Sequence, residues 1–184
     1  MTDTAQRFRS RATQFASLVD AAASQADTPS PCEGWTVRDV VMHTIDTERD
    51  FLATRGLDVG ERPDPTDVAT AWRTHADTVA ATLSSDGVAE TEYAGYFGPT
   101  TIGETMADFY GWDLVIHGWD VARATGQDWR VSDEDVTWLN ASADGWGDAL
   151  RAQGICGPEV PVPADASPQD KLLGRLGRDP QWVP

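Results

Sequence analysis

An acid, a histidine and a second acid stand at helical spacing within the segment DLVIHGWD, residues 113–120. On an α-helix, successive residues are about 100° apart. His117 therefore lies about 40° from Asp113 in one direction around the helix, and Asp120 lies about 20° from Asp113 in the other direction. The three ionisable side chains therefore share one face. Carboxylate and imidazole groups one turn apart can ligate a divalent metal, as helical histidine pairs do in zinc proteases. They can also form an internal hydrogen-bond network, which is the alternative interpretation of this spacing.

The face that carries these three groups is otherwise apolar, and it also presents Met106, Phe109, Tyr110, Ile116, Val121 and Ala124. Because unpaired ionisable groups are costly to bury, we expect polar partners or a metal beside them. The opposite side of the same helix carries the small residues Gly111, Val115, Gly118 and Ala122. Small residues predict that a second element packs closely behind the helix, and the C-terminal segment is the candidate.

A metal site needs a third ligand from another helix, and the remaining histidines are His43 and His75. His43 ends the segment WTVRDVVMH, two turns inside its predicted helix, and is the better candidate, although it lies at the margin of the apolar face. His75 is predicted to be an ordinary surface or half-buried histidine. Cys32 and Cys156 are far apart and form no CxxC pair, so they are predicted to be buried or incidental thiols without a disulfide.

The charge balance excludes several kinds of partner. The 184-residue chain has 30 acidic and 14 basic residues and a formal net charge of −16. Nucleic acids and anionic membranes are bound by basic surfaces, so we expect neither as a partner. The sequence has no apolar run of about 18 residues that could span a membrane. Its first residues lack the apolar region of a signal peptide, so we expect a cytoplasmic protein.

Hydrophobic periodicity and helix-capping residues predict an all-α protein, with a four-helix bundle and added C-terminal elements. Thr36 with Asp39 predicts a capping box, and Gly126 predicts a helix end. Residues 88–99 are predicted to be irregular or briefly extended. The division predicted is a helical bundle over 1–154 and a C-terminal extension over 155–184 packed on it. Helices are predicted over 4–24, 36–54, 67–84, 101–125, 133–152 and 168–176.

Three segments together resemble the metal-binding domain family of mycothiol-dependent maleylpyruvate isomerase, within the DinB/YfiT-like superfamily. They are TPSPCEGWTVRDVVMH, DLVIHGWDVARATGQD and DKLLGRLGRDPQW. The resemblance implies an up-down-down-up four-helix bundle with a divalent metal, usually zinc. Carried onto this chain, the metal ligands it implies are His43, Asp113 and His117. The isomerase has glutamate where this chain has Asp113.

Three protein ligands leave one position of a tetrahedral metal open, which is typical of catalytic zinc. We therefore expect Zn²⁺, or another divalent metal such as Ni²⁺, with mycothiol as a possible cosubstrate. Asp120 is expected to hydrogen-bond a ligand histidine or a metal-bound water. Arg123 is the candidate to face a substrate carboxylate; the alternative is a surface arginine.

The function predicted is a metal-dependent thiol transferase or isomerase that acts on a small electrophile, as a monomer or homodimer. The isomerase also carries a separate C-terminal domain, whereas the tail here is short, so maleylpyruvate is not the expected substrate. Two alternatives stay open. The first is a non-catalytic metal-binding bundle that acts as a stress or interaction module, and the second is a hydrolase that uses zinc-bound water.

Overall fold

The computed structural model of the protein describes residues 3–152 and 154–184. Each predicted helical range contains a helix, so the protein is mostly helical, as expected. The α-helices are α1 Asp3–Ala22, α2 Val37–Ala53, α3 Val68–Leu83, α4 Ile102–Thr105, α5 Gly111–Ala124, α6 Asp133–Trp146 and α7 Pro168–Arg175. Short 3-10 turns follow α1 (Ala23–Gln25) and α6 (Gly147–Arg151), and a π-helical turn, Met106–Tyr110, joins α4 to α5.

The start of α2 is fixed by the capping box expected from the sequence. The Thr36 N–H donates to Asp39 Oδ2 at 2.8 Å, and the Asp39 N–H donates to Thr36 Oγ1 at 3.2 Å. These bonds satisfy two backbone donors that the first turn of a helix leaves without partners. The predicted end of α5 is also present, because Gly126 adopts φ +67°, a left-handed conformation that glycine accepts without strain. The elements that carry His43 and His117 are thus set by local sequence.

Four helices pack on one another around the main core. Helix α1 contacts α3 and α5, and α2 contacts the same two helices. The apolar residues of these helices form one cluster, with fully buried members such as Phe8, Phe15, Ile45 and Trp72. The all-α class is therefore confirmed, apart from one small hairpin. The up-down-down-up order of the helices stays a prediction.

The two glycines of α5 accommodate α1 and not the C-terminal segment, whereas Val115 packs with that segment. A Cβ atom added at Gly118 would lie 3.1 Å from Leu18 Cδ1, and one added at Gly111 would lie 2.9 Å from Arg11 Cδ. Both neighbours belong to α1, so the prediction that the tail covers the two glycines was wrong. Close approach of α1 explains why larger side chains are excluded there.

The C-terminal helices form a second cluster on another side of α5. Trp112, Val115 and Ile116 of α5 pack with Leu139 of α6 and with Leu172 and Leu176. Helix α5 is therefore covered from more than one direction, which explains why nearly all its residues are buried. The contacts do not by themselves divide the chain, so the boundary between 1–154 and 155–184 stays a prediction.

The segment expected to be irregular or briefly extended contains an antiparallel hairpin of β1 Glu92–Gly95 and β2 Gly98–Thr101. Tyr96 and Phe97 form its tip and are exposed. The hairpin leads directly into α4. In the π-helical turn that follows, the Gly111 N–H donates to the carbonyl of Met106, five residues earlier. Within the described ranges, no helix is long and apolar enough to cross a membrane.

Candidate metal centre

Helices α2 and α5 bring together the three candidate ligands that the family resemblance implies. His43, Asp113 and His117 each offer one ligand atom, and these atoms lie within 4.8 Å of one another. His117 Nε2 is 3.4 Å from Asp113 Oδ1, and the rings of His43 and His117 have centroids 5.2 Å apart. This arrangement can hold a divalent cation. Metal binding by the cluster stays a prediction.

Asp120 contacts the opposite side of the His117 ring. Its Oδ2 lies 2.9 Å from His117 Nδ1, and its side chain is fully buried. A carboxylate beside Nδ1 favours the proton on that nitrogen and leaves Nε2 free to ligate a metal. The expected hydrogen bond from a histidine to Asp120 is therefore present, and it orients His117 toward His43 and Asp113.

Two residues that sequence reasoning did not assign to the site complete the surroundings of Asp120. Arg178 Nη2 donates to Asp120 Oδ2 at 3.0 Å, and the Cys32 thiol donates to the same oxygen at 3.2 Å. Cys32 is thus not an incidental thiol, because it shares this carboxylate. Both residues lie in segments that carry the family resemblance, PCEGW and LGRDPQW. That was the one signal that could have indicated them.

A second set of possible ligands, Cys32, His117 and Asp120, also lies within 4.8 Å. The Arg178 guanidinium already neutralises Asp120 there, so a metal cation would be repelled by a buried positive charge. Asp113 is different, because its side chain is 23% exposed and its nearest charged neighbour is the His117 ring, at 3.4 Å. Charge and access therefore favour the cluster of His43, Asp113 and His117.

The protonation of the two histidines differs in the metal-free centre. Burial lowers the pKa of His117, but the charge of Asp113 and the hydrogen bond to Asp120 together raise it to about 10. Burial and then the positive charge of His117 lower the pKa of His43. Burial raises the pKa of Asp120, but the charges and hydrogen bonds of Arg178 and His117 keep that pKa well below the usual range. The metal-free centre therefore holds one cationic and one neutral imidazole at neutral pH.

Trp35 forms an aromatic wall beside both histidines. Its ring centroid lies 4.8 Å from that of His43 and 6.3 Å from that of His117. Trp35 directly precedes Thr36, so the cap of α2 also fixes where this indole lies. The wall limits access of water to the histidines from that side.

His75 is not the surface or half-buried histidine that was predicted. It is 1% exposed, and its Nε2 lies 2.9 Å from Oε2 of the equally buried Glu48. Helix α3 turns His75 toward α2, which supplies the carboxylate, and periodicity along α3 alone does not reveal that partner. His75 belongs to this buried pair and not to the candidate metal centre.

Arg123 lies near the end of α5, where its Nε donates to the carbonyl of Trp182 at 2.7 Å. This bond attaches the C-terminal residues to α5. A role of Arg123 toward a substrate carboxylate stays a prediction.

The fold and the cluster define a helical protein with a candidate His–Asp–His metal centre. The sequence profile of the mycothiol maleylpyruvate isomerase N-terminal domain matches residues 8–122. The chain belongs to this family, and the matched range includes His43, Asp113 and His117 but ends before Arg178.

Two curated relatives match almost the whole chain. They are the uncharacterized proteins MT0763 and Rv0738 of Mycobacterium tuberculosis, from strains CDC 1551 / Oshkosh and ATCC 25618 / H37Rv. Each is 27% identical over 165 residues, which cover 88% of this chain and 89% of the relative. No solved structure matches the chain. The likeness to these relatives extends past residue 122 into the C-terminal segment.

Proposed function

We propose that the protein is a divalent-metal-dependent enzyme that activates a low-molecular-weight thiol, such as mycothiol, for transfer to a small electrophile or for its isomerisation. The observation that carries the proposal is the convergence of His43, Asp113 and His117, with ligand atoms within 4.8 Å of one another. The membership in a mycothiol-related, metal-binding family supports it.

The chemistry of the donor set fits Zn²⁺ or another divalent metal such as Ni²⁺. Two imidazoles and one carboxylate are ligands that zinc accepts in catalytic sites, and three protein ligands leave a position open. With a single carboxylate the ligand set leaves a net positive charge, which favours an anionic sulfur. A bound metal would supply the charge that ionises a thiol near neutral pH.

The residues around the ligands have separable roles in this proposal. Asp120 keeps the proton on His117 Nδ1, and Arg178 keeps Asp120 ionised while it is buried. Trp35 shields the two imidazoles. Asp113 is one methylene shorter than the glutamate of the isomerase, so we do not propose the isomerase's own reaction.

The proposal further includes the up-down-down-up bundle, a cytoplasmic location, a monomer or homodimer, and small molecules rather than nucleic acid or membrane as partners. The net charge of −16 supports the exclusion of polyanionic partners.

The test is to load the protein with Co²⁺ and titrate it with mycothiol, or with a simpler thiol as a stand-in. A thiol that reaches the open position gives a new, intense sulfur-to-metal absorption band. His43→Ala should show no band, and His75→Gln should behave as the wild type. A cobalt spectrum that stays unchanged at saturating thiol would reject the proposal and favour a hydrolase or a non-catalytic bundle.

A further inference from the structure

A large groove lies beside the hairpin, at the end of the molecule where α2 finishes and α5 begins. Its volume is about 760 Å³, which lies within the range of small-molecule sites. The walls come from the end of α2, the hairpin, the π-helical turn, α6 and the turn after α6. Aromatic side chains dominate them: Phe51, Tyr93, Tyr96, Phe97, Phe109, Tyr110 and Trp146.

Arg55 is held rigidly in the wall of this groove. Its guanidinium carbon lies 3.7 Å from the ring centroid of Phe51 and 4.0 Å from that of Tyr93. Nη1 donates to the carbonyl of Phe51 at 3.0 Å and to Thr54 Oγ1 at 2.8 Å. Contact with two rings and two hydrogen bonds restrict the guanidinium, so little side-chain freedom remains to be lost when a ligand binds.

The charge of Arg55 has no acidic partner among the described residues. Two carboxylates also line the groove, but both are engaged. Glu104 accepts from the Thr101 N–H at 3.0 Å in the capping box that starts α4, and Asp108 pairs with Arg7 at 2.6 Å. In a chain of net charge −16, a rigid arginine without an ion pair inside an aromatic groove indicates an anionic ligand.

We propose that this groove binds an aromatic monocarboxylate, with the carboxylate on Arg55 and the ring system against the aromatic walls. A ring system complements these walls because aromatic side chains prefer stacked or edge-to-face ring contacts. One negative charge suits the single arginine, and the acidic protein would repel a second.

Tyr110 belongs to the groove wall and lies one helical turn before the candidate ligand Asp113. Its ring packs on Phe51 with centroids 5.2 Å apart. Burial and then the charges of Glu48 and Asp113 raise the pKa of Tyr110, so its phenol stays protonated. That the aromatic acid is the electrophile of the thiol reaction rests on the proposed function; its binding to the groove does not.

The test is to titrate the full chain with 2-naphthoate and with the neutral analogue 2-naphthalenemethanol, by isothermal calorimetry. The acid should bind at least about tenfold more tightly than the alcohol, because charge-assisted bonds to Arg55 add to ring contacts. Arg55→Gln should remove this difference, and Arg55→Lys should keep part of it. Arg73→Gln is the matched control, because Arg73 pairs with Asp20 on the exposed surface.

A second variant acts on the groove without touching Arg55. Gly145 lines the groove, and a Cβ atom added there meets nothing within 4 Å, so Gly145→Phe should fold and fill the space. It should abolish binding of both the acid and the alcohol. Equal affinities of the acid and the alcohol for the wild type, or full naphthoate binding by Gly145→Phe, would overturn the inference.

The metal-free variant His43→Ala separates this inference from the proposed function. It should bind naphthoate as the wild type does, because the groove does not include His43. Arg55-dependent binding together with an unchanged cobalt spectrum would support the groove and reject thiol activation. The opposite pair of results would reject the groove alone.

Discussion

Arg178 Nη2 lies 3.0 Å from Asp120 Oδ2, although 58 residues separate the two along the chain. Asp120 in turn accepts from Nδ1 of His117, so a residue of the C-terminal tail stabilises the orientation of a candidate metal ligand in α5. The range matched by the family ends at residue 122 and does not contain this arginine. The tail is therefore part of the surroundings of the site, and not an appendage to it.

Arg178→Met should lower the affinity for Zn²⁺ by about 10- to 100-fold, the usual effect of losing a partner that orients a ligand histidine. The reason is that Asp120 would remain buried without its cation and would bind a proton more readily. Arg178→Lys should restore part of the affinity. Arg175→Met is the control, because Arg175 pairs with the exposed Asp144. Competition with a chromophoric chelator measures the Zn²⁺ affinity of all three variants. An unchanged affinity in Arg178→Met would contradict the prediction.

The ligands themselves should be more sensitive than Asp120 or Arg178. His43→Ala and His117→Ala should each lose more than about 100-fold in zinc affinity, beyond the range for outer partners. Asp113→Glu should retain the metal, because it supplies the glutamate of the isomerase. His75→Gln should also retain it, since the amide can still donate to Glu48. Elemental analysis after dialysis measures the zinc content of these four variants. Loss of zinc from His75→Gln would show that the wrong histidine was assigned to the site.

Metal binding should release about one proton per chain at pH 7. In the metal-free protein His117 has a pKa of about 10 and is protonated, and it must become neutral to ligate. Zinc affinity should therefore increase with pH, by up to about tenfold per unit between pH 6 and 8. Calorimetry in buffers with different ionisation enthalpies measures the proton count. His43 has a lowered pKa and adds no second proton, so a count near two would contradict this assignment.

His117 also makes the stability of the metal-free protein depend on pH, in the direction opposite to that of the zinc affinity. The pKa of His117 is raised above its unfolded value of about 6.5 and reaches about 10 in the fold. Its contribution is therefore fully present below about pH 6.5 and is lost as pH rises through its folded pKa. Urea unfolding of the chelated protein should show stability falling between pH 7 and 10. A His117→Gln variant with the same slope would assign the loss to another group.

Breaking the buried pair of Glu48 and His75 should cost about 3–5 kcal/mol of unfolding free energy, because one ionisable group is left unpaired in the core. His75→Ala should show this loss. The double variant Glu48→Leu, His75→Phe should lose much less than the sum of its single changes, because no charge remains to be buried. Urea titrations of Glu48→Leu, of His75→Phe and of the double variant measure the three values. Additive losses would indicate that the two side chains do not depend on each other.

Local features of the fold could be predicted from the sequence, and long-range ones could not. Thr36 with Asp39 and Gly126 specify the ends of helices through bonds between near neighbours, and both are present. The π-helical turn was missed because the apolar spacing of residues 101–125 averages over one inserted residue. The buried state of His75 was missed because its partner, Glu48, lies on another helix.

In the candidate site, too, the local features could be predicted from the sequence and the long-range contacts could not. Asp113 and His117 could be placed on one face by counting along a single helix, whereas His43 needed the family resemblance to join them. Cys32 and Arg178 approach Asp120 from 88 and 58 residues away, and nothing in helical periodicity encodes such contacts. Sequence reasoning therefore named three candidate ligands that the structure brings together, and it missed the groups that control the charge around them.

The π-helical turn between α4 and α5 also has a consequence for how such proteins could diverge. It carries Phe109 and Tyr110 of the groove, and α5 directly after it carries Asp113 and His117. A π-helical turn absorbs one extra residue as a local bulge, so losing that residue would convert the turn to regular α-helix and leave the helix faces before and after it in nearly the same relative orientation. The candidate metal ligands and the hairpin would each stay in place, and the backbone around Phe109 and Tyr110 would contract. A single-codon deletion would therefore reshape the groove wall without displacing the candidate metal ligands.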